Sequence, residues 1–438
     1  MNALSVVIGI IVVLVGLVVS IGLHEVGHML PAKKFGVRVS QYMVGFGPTV
    51  WSRTKGETEY GLKAFPLGGY VRLVGMMPPA PPGARPVGGF FGQVIGDARD
   101  ASVAEIRPGE EHRAFYNLSA PKKLVVMFGG PFMNLVIAVV LLFVVLVGIG
   151  LPAVTTTVGA VSDCVPAAAT SLDEEPACTD EPAPAQAAGM QPGDTIVAFD
   201  GQEVTSWNQL VGLIGDSAGT PVEVVVERDG QRVPLTLTPA ERETIAVDAQ
   251  GNPRLDADGE PVTQTGGFLG VTPTSEYEPL PVSSVPQAVW DQVSGTAAVL
   301  VTLPVRVAEA AVETFTDAPR SADGPVSIIG VGRLAVDVVA ADDPIVMTLQ
   351  RLLLLLAALN IALFVFNLIP LLPLDGGHMI NALYEGAKRT VARVRGLPRP
   401  APADVARMMP VAYVMFVVLL GVGVVLMLAD VIDPIRLA

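Results

Sequence analysis

Residues 5–28 read SVVIGIIVVLVGLVVSIGLHEVGH. The first 19 of these, Ser5–Leu23, carry no charge and run directly into His24-Glu25-Val26-Gly27-His28. About 20 apolar residues cross a bilayer as a helix. On that helix, positions i and i+4 share a face, so His24 and His28 can hold one metal ion while Glu25 stands beside it to activate water. An acidic group at the centre of a span costs about 2.5–3.5 kcal/mol, and a metal supplies the charge that makes three ionisable side chains on one turn tolerable. The plainer alternative is a structural histidine pair at a helix end, reaching back to the interface.

Three further uncharged stretches follow: Leu124–Leu151, Leu352–Leu374 and Met408–Ala429, of 28, 23 and 22 residues. Buried core helices usually stop at 10–14 apolar residues, so four spans are expected. Charged residues make up only 16% of the 438, well below a soluble domain. With a net charge of −14 and no basic stripe, a nucleic-acid binder is excluded as the main reading. Residues 1–23 lack the Lys or Arg that the n-region of a signal peptide would require. The first stretch is therefore read as a retained anchor.

Orientation follows from basic residues in the loops. Residues 31–123 hold 13 basic and 7 acidic residues, 152–345 hold 7 and 29, and 375–407 hold six basic ones. The first and third loops are expected in the cytoplasm and the acidic segment outside. By this topology the first and third spans both run inward. A catalytic zinc takes three protein ligands and keeps one position open, so a third must come from elsewhere. Asp375, at the end of the third span in Pro373-Leu374-Asp375-Gly376-Gly377-His378, lies at a similar depth. His378 is metal-competent too, with a packing or supporting role favoured.

The acidic segment contains a turn, strand and turn at Gly189–Gly201, a helix at Ser206–Ile214, and strands Val222–Arg228 and Val233–Leu237 joined by Asp229-Gly230. Gly189-Met-Gln-Pro-Gly-Asp-Thr-Ile-Val-Ala-Phe-Asp-Gly201 resembles the PDZ domains attached to bacterial proteases. That resemblance implies a peptide-accepting strand and carboxylate loop at Gly267, Phe268, Leu269, Gly270 and Val271, or else a degenerate domain acting only as a steric cap. Residues 163–188 and 241–265 read as insertions. Cys164 and Cys178, the two cysteines, sit in the first of these and are expected to form a disulfide in an oxidising compartment. Residues 42–73 are glycine-rich and strand-like, too short for another span, and fit a β-hairpin dipping into the membrane where protein or water satisfies its backbone. Residues 76–112, rich in Pro and Gly, read as a flexible cytoplasmic loop.

HExxH in the first span, Leu374-Asp375-Gly376 in the third and an intervening PDZ-like segment together resemble the site-2 proteases, in particular the four-span bacterial type that cleaves anti-sigma factors. Phe128-Gly-Gly-Pro-Phe-Met-Asn134 resembles that family's Gly-Pro-x-x-Asn element, and Gly324-Pro-Val-Ser-Ile328 the element preceding the third span. The resemblance implies one Zn(2+) per chain on His24, His28 and Asp375, with Glu25 as catalytic base. It also implies a single-span substrate, such as an anti-sigma factor trimmed first by a site-1 protease, in a bacterial inner or plasma membrane. Asn134, Asn367, Gly68 and Gly69 are candidates for positioning substrate, the asparagines with interhelical hydrogen bonding as their alternative. Two other readings compete: a PDZ-bearing membrane adaptor, which has no use for the complete ligand set, and a metal transporter, which wants more intramembrane carboxylates and histidines.

The expected fold is thus a polytopic α-helical membrane protein of four transmembrane helices, with a membrane-associated β-hairpin region and an extracytoplasmic α+β PDZ domain. Its divisions are a first span (1–33), the hairpin region (34–122), a second span (123–152), the PDZ-like domain (153–275) and an extracytoplasmic helical connector (276–344). A third span (345–376), a cytoplasmic loop (377–407), a fourth span (408–430) and a short tail (431–438) complete it. The active site is expected near the cytoplasmic side.

Overall fold

The computed structural model describes residues 3–80, 88–167, 177–245, 262–314, 316, 324–340 and 344–432. Parts of the 76–112 and 163–188 segments, most of the 241–265 insertion and the tail beyond 432 lie outside that description. The chain divides into two compact units, one formed by 1–149 with 280–438, the other by Gly150–Pro279.

The first unit opens with α1 (Ala3–Lys34), whose last eleven residues include the HExxH sequence. Strands β1 (Val39–Lys55) and β2 (Thr58–Leu73) follow, then α2 (Gly89–Ala104) and α3 (Ala120–Phe143). Both strands are long enough to bend, and their pairing is double. Gln41–Val44 faces Glu59–Leu62 on one side and Gly69–Arg72 on the other, while Trp51–Thr54 pairs with Glu59–Leu62. The hairpin is therefore locally a four-layered ribbon with Gly69–Arg72 on its outer edge. Tyr42 ties the ribbon to α1 by donating its hydroxyl to the Gly22 carbonyl at 2.9 Å. Phe46, Val50, Trp51 and Phe65 are exposed at its far end, a composition suited to lipid and unsuited to water.

The second unit begins with β3 (Leu151–Val161), β4 (Cys164–Pro166), β5 (Cys178–Pro182) and the short α4 (Pro184–Ala187). Then come β6 (Thr195–Phe199), β7 (Gln202–Glu203), α5 (Trp207–Asp216), β8 (Val222–Arg228) and β9 (Gln231–Leu237). The unit ends with β10 (Ala240–Ile245), β11 (Thr263–Phe268) and β12 (Val271–Glu278). The main sheet has the order β12-β3-β6-β8-β9, with β7 on β6. Alternation along β8 buries Val222, Val224 and Val226 beside Ile196, Phe199 and Leu210. Asp229 and Gly230, both at positive φ, make the tight β8–β9 turn. Ser206 caps α5 by accepting from the Gln209 amide. Asp194, 1% exposed, is gripped by both nitrogens of the Arg228 fork at 2.7 Å, which holds its carboxyl below the usual carboxylate range.

The chain re-enters the first unit with α6 (Ser284–Thr314), α7 (Ile328–Ala340), α8 (Ile345–Asn367), α9 (Asp375–Val394) and α10 (Met409–Ile432). Among the described residues five helices, one more than expected, are long and apolar enough to cross a membrane: the regions of α1, α3, α8 and α10, and also α6. The last of these falls in the expected extracytoplasmic connector. Val289, Val293, Ala297 and Leu300 of α6 pack on Ala138 of α3 and Ile361 and Phe364 of α8, while Val301, Val305 and Val312 stay exposed. Interspersed Asp291, Arg306, Glu309 and Glu313 break the uncharged run, which is why counting uncharged residues passed over α6.

Two further expectations are corrected. The 76–112 loop contains a 16-residue helix, α2, and the 377–407 loop is largely the 20-residue α9. Asp375 accordingly is the first residue of α9, eight positions beyond Asn367 where α8 ends, and does not close the third span. At the opposite end, Asp430 of α10 is 1% exposed and accepts from the backbone N–H groups of Ser327 and Gly330 at 2.6 and 3.1 Å. The Gly324–Ile328 element thus lies where a buried carboxylate caps the start of α7.

Candidate active site

The close approach of α1 and α3 comes from glycine. A Cβ on Gly27 would collide with the Gly129 carbonyl, and one on Gly129 with the Gly27 carbonyl, so the two backbones touch here. Gly130 lies under the His28 ring in the same way. The crossing delivers His24, Glu25 and His28 to the middle of the first unit. Asp375 reaches them because the turn between α8 and α9 folds tightly on itself: a Cβ on Gly376 or Gly377 would meet backbone atoms of residues 368–372.

His24 Nε2 and His28 Nε2 lie 3.2 Å apart, and each is 3.3 Å from Asp375 Oδ2. One ligand atom from each of the three residues lies within 4.8 Å of the others. His28 Nδ1 is 2.8 Å from the Val126 carbonyl oxygen. A carbonyl only accepts, so Nδ1 carries the proton and Nε2 presents a lone pair. Asp375 Oδ2 is buried without a hydrogen-bond partner. On the other histidine, Asn134 Nδ2 lies 3.1 Å from His24 Nδ1, and Asn134 Oδ1, fully buried, has no partner. Turning the amide over lets Oδ1 accept the His24 Nδ1–H, satisfies the orphan and frees His24 Nε2. Three electron pairs then converge on one point, an arrangement that a cation reconciles. The donor set, two imidazoles and a carboxylate, fits a catalytic zinc site with an open position.

The three residues open onto a cavity of about 350 Å³ that is also lined by Glu25, Gly69, Tyr70, Val71, Asn367 and His378. Glu25 is only 9% exposed. A Cβ on Gly69 would sit 3.1 Å from Glu25 Cγ, so the outer edge of the ribbon runs beside the carboxylate. Gly68 shapes that edge, at φ +122° and against the Phe46 ring, but does not line the cavity. Asn367 lines it with its amide tied back to the Leu363 carbonyl at 3.0 Å. His378 lines it one turn beyond Asp375, outside the converging trio. Asn134 of α3 contacts His24 of α1, the interhelical hydrogen bonding that was the alternative to substrate positioning. The Val126 carbonyl and the Gly27–Gly129 contact were not anticipated. Aligned small residues in two apolar stretches were the available signal for the contact.

The remaining candidates lie in the second unit. Cys164 and Cys178 are joined by a disulfide across β4 and β5, with their Cα atoms 5.7 Å apart. Gly267 and Phe268 end β11, paired with β10, and a Cβ on Gly267 would meet the Ile214 carbonyl of α5. Leu269 is 2% exposed, and the Leu269 and Gly270 carbonyls accept from Ala185 and Ser162. This stretch is thus a short, packed turn into β12, which lies at the edge of the main sheet.

The profile of peptidase family M50 matches residues 12–399. The zinc metalloprotease Rip1 of Mycobacterium tuberculosis is 33% identical, over 98% of both chains. Metalloprotease MmpA of Caulobacter vibrioides is 29% identical, over 87% of this chain and 89% of its own. Zinc metalloprotease RasP of Shouchella clausii is 25% identical, over 83% and 87%. A match across most of the chain, centred on a metal-ready trio beside a buried glutamate, makes this chain a member of peptidase family M50.

Proposed function

We infer that the protein is an intramembrane zinc endopeptidase that hydrolyses a peptide bond of single-span membrane proteins. The observation that carries this reading is the convergence of His24, His28 and Asp375 beside Glu25, on helices apolar enough to cross a bilayer. One zinc per chain, held by those three residues, would supply Lewis-acid polarisation of the scissile carbonyl and acidify a water molecule. Glu25, next to the trio, takes a proton from water and returns it to the departing amine. A helical substrate hides its amides in its own hydrogen bonds and must unwind first. Gly69–Arg72, on the outer edge of the ribbon and beside Glu25, offers unwound substrate a strand to pair with. Asn367 is positioned to hold the substrate or the developing oxyanion.

The substrate class we favour is an anti-sigma factor trimmed beforehand by a site-1 protease, in a bacterial inner or plasma membrane. The basic 31–123 and 375–407 segments support a cytoplasmic placement for them and for the nearby active site, with the acidic second unit outside, a topology of four crossings in which α6 packs on α3 and α8 without crossing. We read that unit as a PDZ-like domain restricting access, with the β12 edge as its peptide-binding candidate. The test is mass spectrometry of membrane proteins in cells where Glu25→Gln replaces the wild type. Truncated single-span intermediates should accumulate, and their absence would overturn the reading. A reporter fused at residue 230 that reads as cytoplasmic would overturn the topology.

A further inference from the structure

A second cavity, of about 770 Å³, lies between the first turn of α3 and α9 with the turn that follows it. Ser119 and Leu124 form one wall, and Arg389, Arg393, Leu397 and Arg399 the other. Beside it Glu385, 1% exposed, accepts from Lys123 Nζ at 2.7 Å and from the Ala403 amide at 3.0 Å, and pairs with the Arg389 guanidinium across 2.7 Å. One carboxylate therefore faces two cations. Arg393 and Arg399 have no ion-pair partner among the described residues and add two more positive charges. Arg389 Nε is buried with no acceptor, an unmet donor that the protein itself does not satisfy. Ser119 starts α3 without a side-chain cap, so the positive end of a 24-residue helix also faces this space.

The surroundings are apolar. On α9, Ile380, Leu383, Tyr384, Val391 and Val394 are exposed, Val394 at 82%. Their spacings of 3, 4, 11 and 14 residues from Ile380 place them on one face. The cavity thus sits where a span-length apolar helix begins. Leu124, Leu383 and Leu397 are its apolar lining, Leu383 belongs also to the bare face of α9, and Arg389 and Arg393, 9 and 13 residues from Ile380, lie on the other side of that helix. We propose that it binds the phosphate of an anionic phospholipid. The headgroup lies among Arg389, Arg393 and Arg399, and the acyl chains leave the cavity past Leu124, Leu383 and Leu397. Guanidinium forks match phosphate oxygens in pairs, and basic pockets between membrane helices suit such headgroups. Free phosphate shares the headgroup chemistry but has no use for the apolar face.

The test uses the full purified chain in neutral detergent, titrated separately with phosphatidylglycerol, phosphatidylcholine and inorganic phosphate. Bound lipid is read by native mass spectrometry, and the thermal midpoint is recorded alongside. Phosphatidylglycerol should bind and raise the midpoint, and the other two should not at equal concentration. The Arg393→Gln/Arg399→Gln pair should weaken that binding by roughly tenfold, whereas Lys388→Gln/Arg395→Gln, which removes equal charge outside the cavity, should stay within about twofold. The midpoint without lipid reports the folding of each variant separately. Equal binding by the cavity variant and the wild type would overturn the proposal, as would equal loss in both variants. A phosphate response matching that of phosphatidylglycerol would make this a free-phosphate site and overturn the lipid assignment.

Discussion

Gly130 lies directly beneath His28: a methyl group at its Cα would occupy the space of the imidazole Nε2. The ligand atom is therefore placed by the absence of a side chain on the neighbouring helix. Gly130→Ala must push the ring or the helix away, an overpacking cost of about 1–3 kcal/mol. Metal analysis of the purified variant should show zinc well below one per chain. Gly148→Ala, where a Cβ meets nothing within 4 Å, should keep full zinc.

Asn134 holds the other histidine from behind. Losing such a supporting hydrogen bond typically weakens metal binding about 10–100-fold. Chelator competition should find that loss in Asn134→Ala. Asn134→Asp, which keeps an acceptor oxygen against His24 Nδ1, should retain most of the affinity.

Asp430 fixes the start of α7 from the end of α10. Asp430→Ala removes both acceptor contacts to Ser327 and Gly330 and should cost about 1–2 kcal/mol. Hydrogen exchange should speed up at the first turn of α7, with Asp430→Asn intermediate because its amide oxygen still accepts.

The second unit should be acid-sensitive through Asp194. Its hydrogen bonds from Arg228 lower its pKa in the folded state below the ordinary value of 3.8. The stabilisation is then complete above the unfolded pKa and disappears as pH falls through the lower folded one. Hydrogen exchange in β6 and β8 should accelerate as pH drops below about 4. Asp194→Asn should be less stable at neutral pH and lose that pH dependence.

The site was legible where chemistry imposes spacing. His24 and His28 are one helical turn apart, and that alone implied a shared face. Asp375 was reached through the need for a third ligand at similar depth, although it begins α9 instead of ending a span. Within the second unit, the Asp229-Gly230 turn was visible because turn chemistry is local. The helix α6 was not, because its four charged residues hide a span-length apolar surface from a search for uncharged runs. The double pairing of the hairpin was equally hidden, since two bent strands read along the chain like two straight ones. For Asn134 the sequence left substrate positioning and interhelical hydrogen bonding open, because which polar atom a buried amide faces is decided by helix packing.

The most direct test of the central claim is Glu25→Gln in the purified full-length protein, with zinc content and cleavage of a single-span membrane substrate measured on the same sample. On the proposed roles, in which His24, His28 and Asp375 hold the metal and Glu25 moves the proton, the variant should keep about one zinc per chain while cleavage falls by at least roughly 100-fold. Cleavage near the wild-type rate with zinc in place would show that Glu25 is not the base and contradict the account.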